Sequence, residues 1–427
     1  MSVDKKRATF ALLALAISAF AIGTTEFISV GLLPLIANDL HISVTLVGLT
    51  VTLYALGVTF GAPILTSLTS GVPRKILLIG IMLVFIIGNS LAAASTGIGL
   101  LLAARIISAL SHGVFMSIGS TIAADLVAED RRASAISIMF SGLTVATVTG
   151  VPLGTFIGQQ LGWRAAFATI VIVGLIALIA NLILVPGNLR KGVRTPVRDQ
   201  VKIVTNGRLL LAFLITALGY GGTFVVFTYL SPLLHDITGF KESTVALILL
   251  LYGIAIAIGN MIGGKAANRK PLTALLYMFL IQAAILLLLT FTAPFKVAGL
   301  ITIFCMGLLA FMNVPGLQVY VVMLAERYAP QAVDVASSVN IAAFNAGIAL
   351  GAYLGGIVTG HLGLIHTAWI GSLMVMAAVL LTWWSRTLER KVMASAARAS
   401  LSRGNHALFN YRNLIQISSK HSVMVTE

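Results

Sequence analysis

Three ionisable residues stand where a charge is costly. Glu26, within Gly23-Thr24-Thr25-Glu26-Phe27, lies inside an apolar run from about Phe10 to Ile36. A charged side chain near the centre of a membrane-crossing run costs roughly 2.5–3.5 kcal/mol on insertion scales. A partner or a function must offset that. Arg105 and His112 lie inside a second such run. With Ser108 they follow i, i+3, i+7 spacing, so one helical face carries all three. That face must point into protein or a water-filled cavity. Two chemistries fit Glu26. Either it takes up and releases a proton, its charge state coupled to occupancy of a nearby site, or it is a buried partner for Arg105 or a backbone group. The first is expected. Arg105 is expected to supply cavity polarity and to tune the carboxylate, against simple interhelical hydrogen bonding. His112 is either a hydrogen-bonded packing residue or a proton relay.

A second group is polar but neutral. Asn260, Gln282, Asn313, Gln318, Asn340 and Asn345 lie in later apolar runs, where they donate and accept hydrogen bonds without a charge. With Thr25, Tyr54, Tyr220, Phe224, Tyr229 and Phe344 they are candidates to line a cavity for a neutral or amphipathic molecule. Interhelical hydrogen bonding is the competing role for each amide.

The elements that must position these residues follow from composition. Of 427 residues, 58% are hydrophobic and only 10% charged, which places the chain in a membrane. Twelve spans are expected at 10–36, 44–68, 76–95, 98–124, 134–158, 165–186, 208–234, 243–264, 271–291, 297–322, 332–360 and 366–386. The net charge of +15 does not indicate nucleic acid, because the basic residues sit in short loops on alternate sides. With both termini inside, 24 of the 28 Lys and Arg fall in inner segments. Arg164, Lys241 and Lys296 fall outside, and Arg105 is within a span. Cys305 is the only cysteine, so no intramolecular disulfide or cysteine metal cluster forms. No nucleophile–base set, metal cluster or phosphate loop is evident, so an enzyme is not expected.

The chain repeats at an offset of 198 residues. Gly23, Thr25, Pro34, Leu35, Val47, Tyr54 and Gly61 recur as Gly221, Thr223, Pro232, Leu233, Val245, Tyr252 and Gly259. Two parallel six-helix halves result: residues 1–186 and 208–386, joined by a polar cytoplasmic linker at 187–207. The segment 387–427 is expected to be a basic, largely disordered cytoplasmic tail, with a short surface helix near 388–401. The repeat places Phe224 opposite Glu26, so the architecture itself does not require an acid there. Small residues recur at i+4 in Gly142, Ala146, Gly150, Gly154 and Gly158, and again in Ala343, Gly347, Gly351 and Gly355. Such stripes allow close helix approach, either as static packing or as a seam that parts during a transport cycle. The recurrence in both halves favours the seam. Pro152 is expected to bend its helix.

With these residues in view, the chain resembles the major facilitator superfamily over about residues 8–390. It is most similar to the bacterial drug:proton antiporter branch that includes arabinose-efflux-permease-like and purine-nucleoside-efflux-like proteins. Gly23–Phe27 with Gly31-Leu32-Leu33-Pro34 resembles that branch's first-helix signature. Arg105 with His112-Gly113 resembles its span-4 motif, associated with proton transfer. Gly142, Gly150, Pro152 and Gly154 carry the resemblance to its span-5 antiporter motif, and Ser337–Asn340 with Phe344-Asn345 is also typical.

The resemblance implies an all-α membrane fold of twelve helices in two halves. It also implies alternating access, exchange of protons for a drug, sugar or nucleoside, and residence in the bacterial inner membrane with both termini cytoplasmic. No cofactor is implied, the proton gradient being the driving force. The expected partners are a small solute and membrane lipid, with no nucleic acid, and the expected state is a monomer. The alternatives are an importer or facilitator of the same fold, or a non-transporting membrane sensor. One departure stands out. The superfamily's acidic and glycine positions in the loop between spans 2 and 3 are Ser70 and Thr66, and the comparable acid in the second half is Asn268. The basic residues Arg74, Lys75, Arg269 and Lys270 are then expected to meet helix C-termini or anionic lipid.

Overall fold

A backbone that crosses lipid must satisfy its own hydrogen bonds, and helices do so within one segment. The computed structural model describes residues 5–69, 71–127, 132–187, 205–267, 270–330 and 333–402, with the isolated residues 189 and 203. Among these residues there are no strands, and twelve helical spans are long and apolar enough to cross a membrane.

Span 1 is Lys5–Leu40, span 2 Val44–Leu68, span 3 Arg74–Ala93 and span 4 Ile98–Asp125. Span 5 is Arg132–Val145, a π-helical stretch Ala146–Gly150, and Val151–Leu161; span 6 is Trp163–Leu184. Span 7 is Gly207–Phe227, continued after a break by Leu230–Pro232 and a π-turn at Leu233–Ile237. Spans 8 and 9 are Glu242–Ala267 and Pro271–Thr292. Span 10 is Lys296–Ala310 and Val314–Tyr328, span 11 Val333–His361 and span 12 His366–Ser402.

Local chemistry accounts for several of these boundaries. Span 7 starts where the Asn206 side chain accepts hydrogen bonds from the amides of Arg208 and Leu209, at 3.0 and 3.2 Å. Spans 5 and 6 are joined through Gly162 alone, at a φ of 86° that favours glycine. The π-stretch in span 5 ends two residues before Pro152, which has no amide hydrogen to donate. The irregularity beside Pro152 is this π-stretch. Span 10 breaks at Phe311–Asn313, just before Pro315.

Each half has its own apolar core. The two small-residue stripes are used inside the halves. A Cβ at Gly142 would collide with the carbonyl of Ala16, one at Gly150 with Thr24, and one at Gly154 with Ile28. The spacing is constant, so span 5 lies parallel to span 1 and in register. In the second half Gly347, Gly351 and Gly355 abut Ala217, Gly221 and Val225 of span 7 in the same way. Each stripe packs one span against another of the same half.

The halves meet mainly through spans 2 and 11 and through spans 5 and 8. At the end away from the described chain ends, Thr45 Oγ1 donates to Gly356 O at 3.3 Å and Gln159 Nε2 to Glu242 O at 2.5 Å. Further along span 2, Thr59 lies 3.5 Å from Ala342 O. Beyond it Phe60, Ile64 and Leu68 are exposed.

On the side of the chain ends, Arg74 pairs with Asp125 at the end of span 4. Lys75 donates to Leu182 O at the C-terminus of span 6, at 2.9 Å. Lys75 thus meets a helix C-terminus as expected, whereas Arg74 meets an acid that sequence reasoning did not assign to it, Asp125. Lys270 occupies the N-cap position of span 9, and Arg269 lies outside the described residues. So does most of the linker. The last helix runs unbroken past residue 386 to Ser402, so the first part of the expected tail is a continuation of span 12 and not a separate surface helix. Residues 403–427 lie outside the described residues.

Candidate functional site

Glu26 sits midway along span 1 and retains 8% exposure. Among the described residues its carboxylate has no hydrogen bond and no ion pair. It interacts electrostatically with Arg105, Tyr54 and Tyr220. Arg105 is fully buried, and its guanidinium is directed to backbone. Nη1 donates to Thr25 O at 2.7 Å, Nη2 to Glu26 O at 3.2 Å and Nε to Thr50 O at 3.4 Å. The arginine therefore ties spans 1, 2 and 4 together through carbonyls and does not clamp the carboxylate. Its guanidinium carbon also lies 4.1 Å above the Tyr54 ring, a favourable cation–π arrangement. The Tyr54 hydroxyl is 3.2 Å from His112 Nδ1. Glu26, Arg105, Tyr54 and His112 thus form one buried group. Sequence reasoning placed Tyr54 in the cavity, but the structure puts it between the arginine and the histidine. Ser108, on the same face as Arg105, donates to Ala104 O and packs against Gly88.

Thr25 also turns away from a cavity: its hydroxyl donates to Asn89 Oδ1 of span 3 at 3.0 Å. In the second half, Gln282 of span 9 donates to Thr223 Oγ1 at 2.5 Å and to Gly219 O at 3.1 Å. Asn313, at the break in span 10, donates to Gln282 Oε1 at 3.0 Å. Irregular backbone at this depth is tolerated where it is buried in protein or lines a cavity. Asn313 Oδ1 and Asn345 Oδ1 are buried without a donor among the described residues.

Tyr220 and Phe224 belong to an aromatic cluster. Tyr220 lies 5.0 Å from Phe224, 5.3 Å from Phe311 and 5.0 Å from Phe344. Phe227 stacks on Tyr252 at 5.2 Å, and the hydroxyl of Tyr252 has no hydrogen-bond partner among the described residues. Phe27, from the first half, joins this cluster.

Three more of the expected cavity residues lie elsewhere. Asn340 and Gln318 are consumed by a network on the chain-end side of the second half. Thr216 donates to Asn340 Oδ1 at 2.8 Å, Asn340 to Gln318 Oε1 at 2.8 Å, and Gln318 to Ser337. Tyr229 follows the break in span 7 and lies between the halves at their closed end. Its ring fills the space over Gly48 and Gly356, and its hydroxyl donates to Ala352 O at 3.3 Å. Among the described residues it is the only buried residue of the second half in the core of the first.

Sequence reasoning missed Phe27, Phe227, Phe311 and Asn89. Phe27 had the one available signal, its position beside Glu26. Phe227 and Phe311 look like any aromatic in an apolar span until tertiary packing gathers them.

Twelve spans, a parallel repeat of six and a buried polar group facing an aromatic cluster between the halves define a multi-pass solute carrier. The comparisons with known proteins agree. The model of the Major Facilitator Superfamily matches residues 15–329, and the chain belongs to that family, one of transporters and not of enzymes. The chain is 75% identical over 381 residues to the uncharacterized MFS-type transporter YtbD of Bacillus subtilis, covering 89% of this chain and 96% of that one. It is 33% identical over 397 residues to a chloramphenicol resistance protein of Streptomyces lividans, covering 91% and 98%. Among solved structures, a D-xylose-proton symporter superposes with a TM-score of 0.68 at 15% identity, covering 88% of this chain and 96% of that one. At that identity the likeness is one of fold.

Proposed function

We propose that the protein is a proton-coupled exporter of a small organic solute, working by alternating access in a bacterial cytoplasmic membrane with both termini inside. The observation that carries this reading is the state of Glu26. Its carboxylate is buried midway across the fold, and Arg105, the nearest cation, directs its N–H groups to carbonyls. A buried carboxylate without direct pairing is expensive. A proton or a ligand group must supply what the protein does not. Competition between the two at one carboxylate couples proton entry to solute release. The contacts between halves at the end away from the chain ends correspond to a carrier closed on the outside. The loop-charge bias supports cytoplasmic termini. The relative named for chloramphenicol resistance supports export of a drug-like solute.

The test is transport in inverted vesicles driven by an imposed pH gradient. Wild type is expected to accumulate solute and Glu26→Gln to fall to background while remaining folded in detergent. Unchanged gradient-driven transport by the variant would sink the reading. If overexpression increases cellular retention of the solute where loss is expected, the direction is import.

A further inference from the structure

We infer that Phe27 is an intramolecular stand-in for an aromatic ring of the solute. In this conformation it fills the slot that an aryl group bearing hydroxyl or amide N–H donors takes when the protein is loaded. The inference rests on the reading of the chain as a solute carrier and names its substrate class.

Phe27 is on span 1, yet it is buried in the core of the second half, 3% exposed. Its ring lies 6.1 Å from Phe224, 6.2 Å from Phe227 and 6.3 Å from Phe311, at interplanar angles of 32°, 64° and 78°. All three partners belong to the second half. Tilted and edge contacts at these separations are the arrangements that flat rings prefer, and an aliphatic chain gains less from them. The slot is thus built by one half and filled by the other. When the halves rock apart, span 1 carries Phe27 away and leaves three aromatic walls without a centre.

A second observation concerns polar atoms on the elements that carry the cluster. Asn313 follows Phe311 by two residues and Asn345 follows Phe344, and the buried Oδ1 atom of each has no donor among the described residues. The Glu26 carboxylate, next to Phe27 in the chain, also accepts no hydrogen bond among the described residues. A buried acceptor left unmade is costly. Phe27 fills the apolar slot but brings no donor to these oxygens. A solute with an aryl group and hydroxyl or amide N–H donors does both.

The test compares binding of two probes that differ in the ring, N-acetyl-phenylalaninol and N-acetyl-leucinol, to the full chain in lipid nanodiscs by isothermal titration. A residue that merely lines a site weakens binding when truncated, whereas a residue that occupies the site strengthens it. Phe27→Ala is expected to tighten the phenyl probe about three- to tenfold and leave the leucinol probe nearly unchanged. Phe311→Ala, in the wall, is expected to weaken the phenyl probe. Phe27→Leu keeps most of the side-chain volume and gives the same sign in a smaller amount, should Phe27→Ala fail to fold. Weaker or equal phenyl binding in both Phe27 variants overturns the inference. So does absence of binding of either probe to wild type and variants alike. In both cases proton-driven transport that depends on Glu26 would leave the carrier reading standing.

Discussion

The two halves hold the same elements at matching places and fill them with different chemistry. Thr25 in span 1 is hydrogen-bonded to an amide of span 3, Asn89. Thr223 in span 7 is hydrogen-bonded to an amide of span 9, Gln282. Tyr54 and Tyr252 occupy equivalent positions. One lies under a guanidinium and reaches a histidine. The other stacks on Phe227 with an unpartnered hydroxyl. Beside each threonine the difference is largest, Glu26 against Phe224. The shared threonine–amide pairs and glycine stripes belong to the scaffold. What differs marks a division of labour, with ionisable groups in the first half and flat apolar surface in the second.

The strongest way to break this comparison is to exchange its unequal members. The double variant Glu26→Gln/Phe224→Glu moves the carboxylate across the interface, into a half with no buried arginine among its described residues. It is expected not to recover gradient-driven transport in vesicles, because the carboxylate at position 224 gains no buried arginine beside it. Recovery would mean that position within either half is immaterial.

Arg105→Lys keeps a positive charge but loses the planar fork that meets three carbonyls. Each carbonyl left without a donor costs about 1–3 kcal/mol. A lowered unfolding temperature in detergent together with lost transport is expected. Normal stability with retained transport would make Arg105 a purely electrostatic element.

Gly142→Ala and Gly347→Ala test the shared scaffold. Both place a methyl group against a backbone carbonyl of the neighbouring helix, and overpacking of this kind typically costs about 1–3 kcal/mol. Similar losses of monodisperse protein are expected for the two, and an effect confined to one would show that the stripes are not equivalent. The smallest effect is expected for Asn89→Leu and Gln282→Leu, about 0.5–1.5 kcal/mol for each hydrogen bond lost. Gln282→Leu is the more damaging because it also strands Asn313. Thermal unfolding of the purified variants ranks them.

Much of the fold was legible because lipid imposes it. Length, apolarity and alternating loop charge fix twelve spans, and the repeat from Gly23 to Gly61 pairs the halves. Glu26, Arg105 and His112 were legible for a related reason, since ionisable groups inside apolar runs are rare enough to carry information. The partners were not. Nothing in the order of residues indicates that Arg105 seeks Thr25 O and Thr50 O in place of the carboxylate, because a backbone acceptor leaves no trace in residue type. Tyr54 and Tyr229 were assigned to the cavity on aromatic character alone, and only packing separates one from the other. The stripes were visible at i+4, but a stripe does not say which helix it will face.

Tyr229 has a consequence for the living cell. A carrier that opens at both ends at once is a pore, and a pore drains the gradient that carriers depend on. At the closed end of this molecule one phenol ring lies over Gly48 and Gly356 and joins the two halves. That contact between the halves needs two residues small enough to let the ring seat, and a methyl group at either position would collide with the phenol oxygen and push the halves apart at the end where they meet.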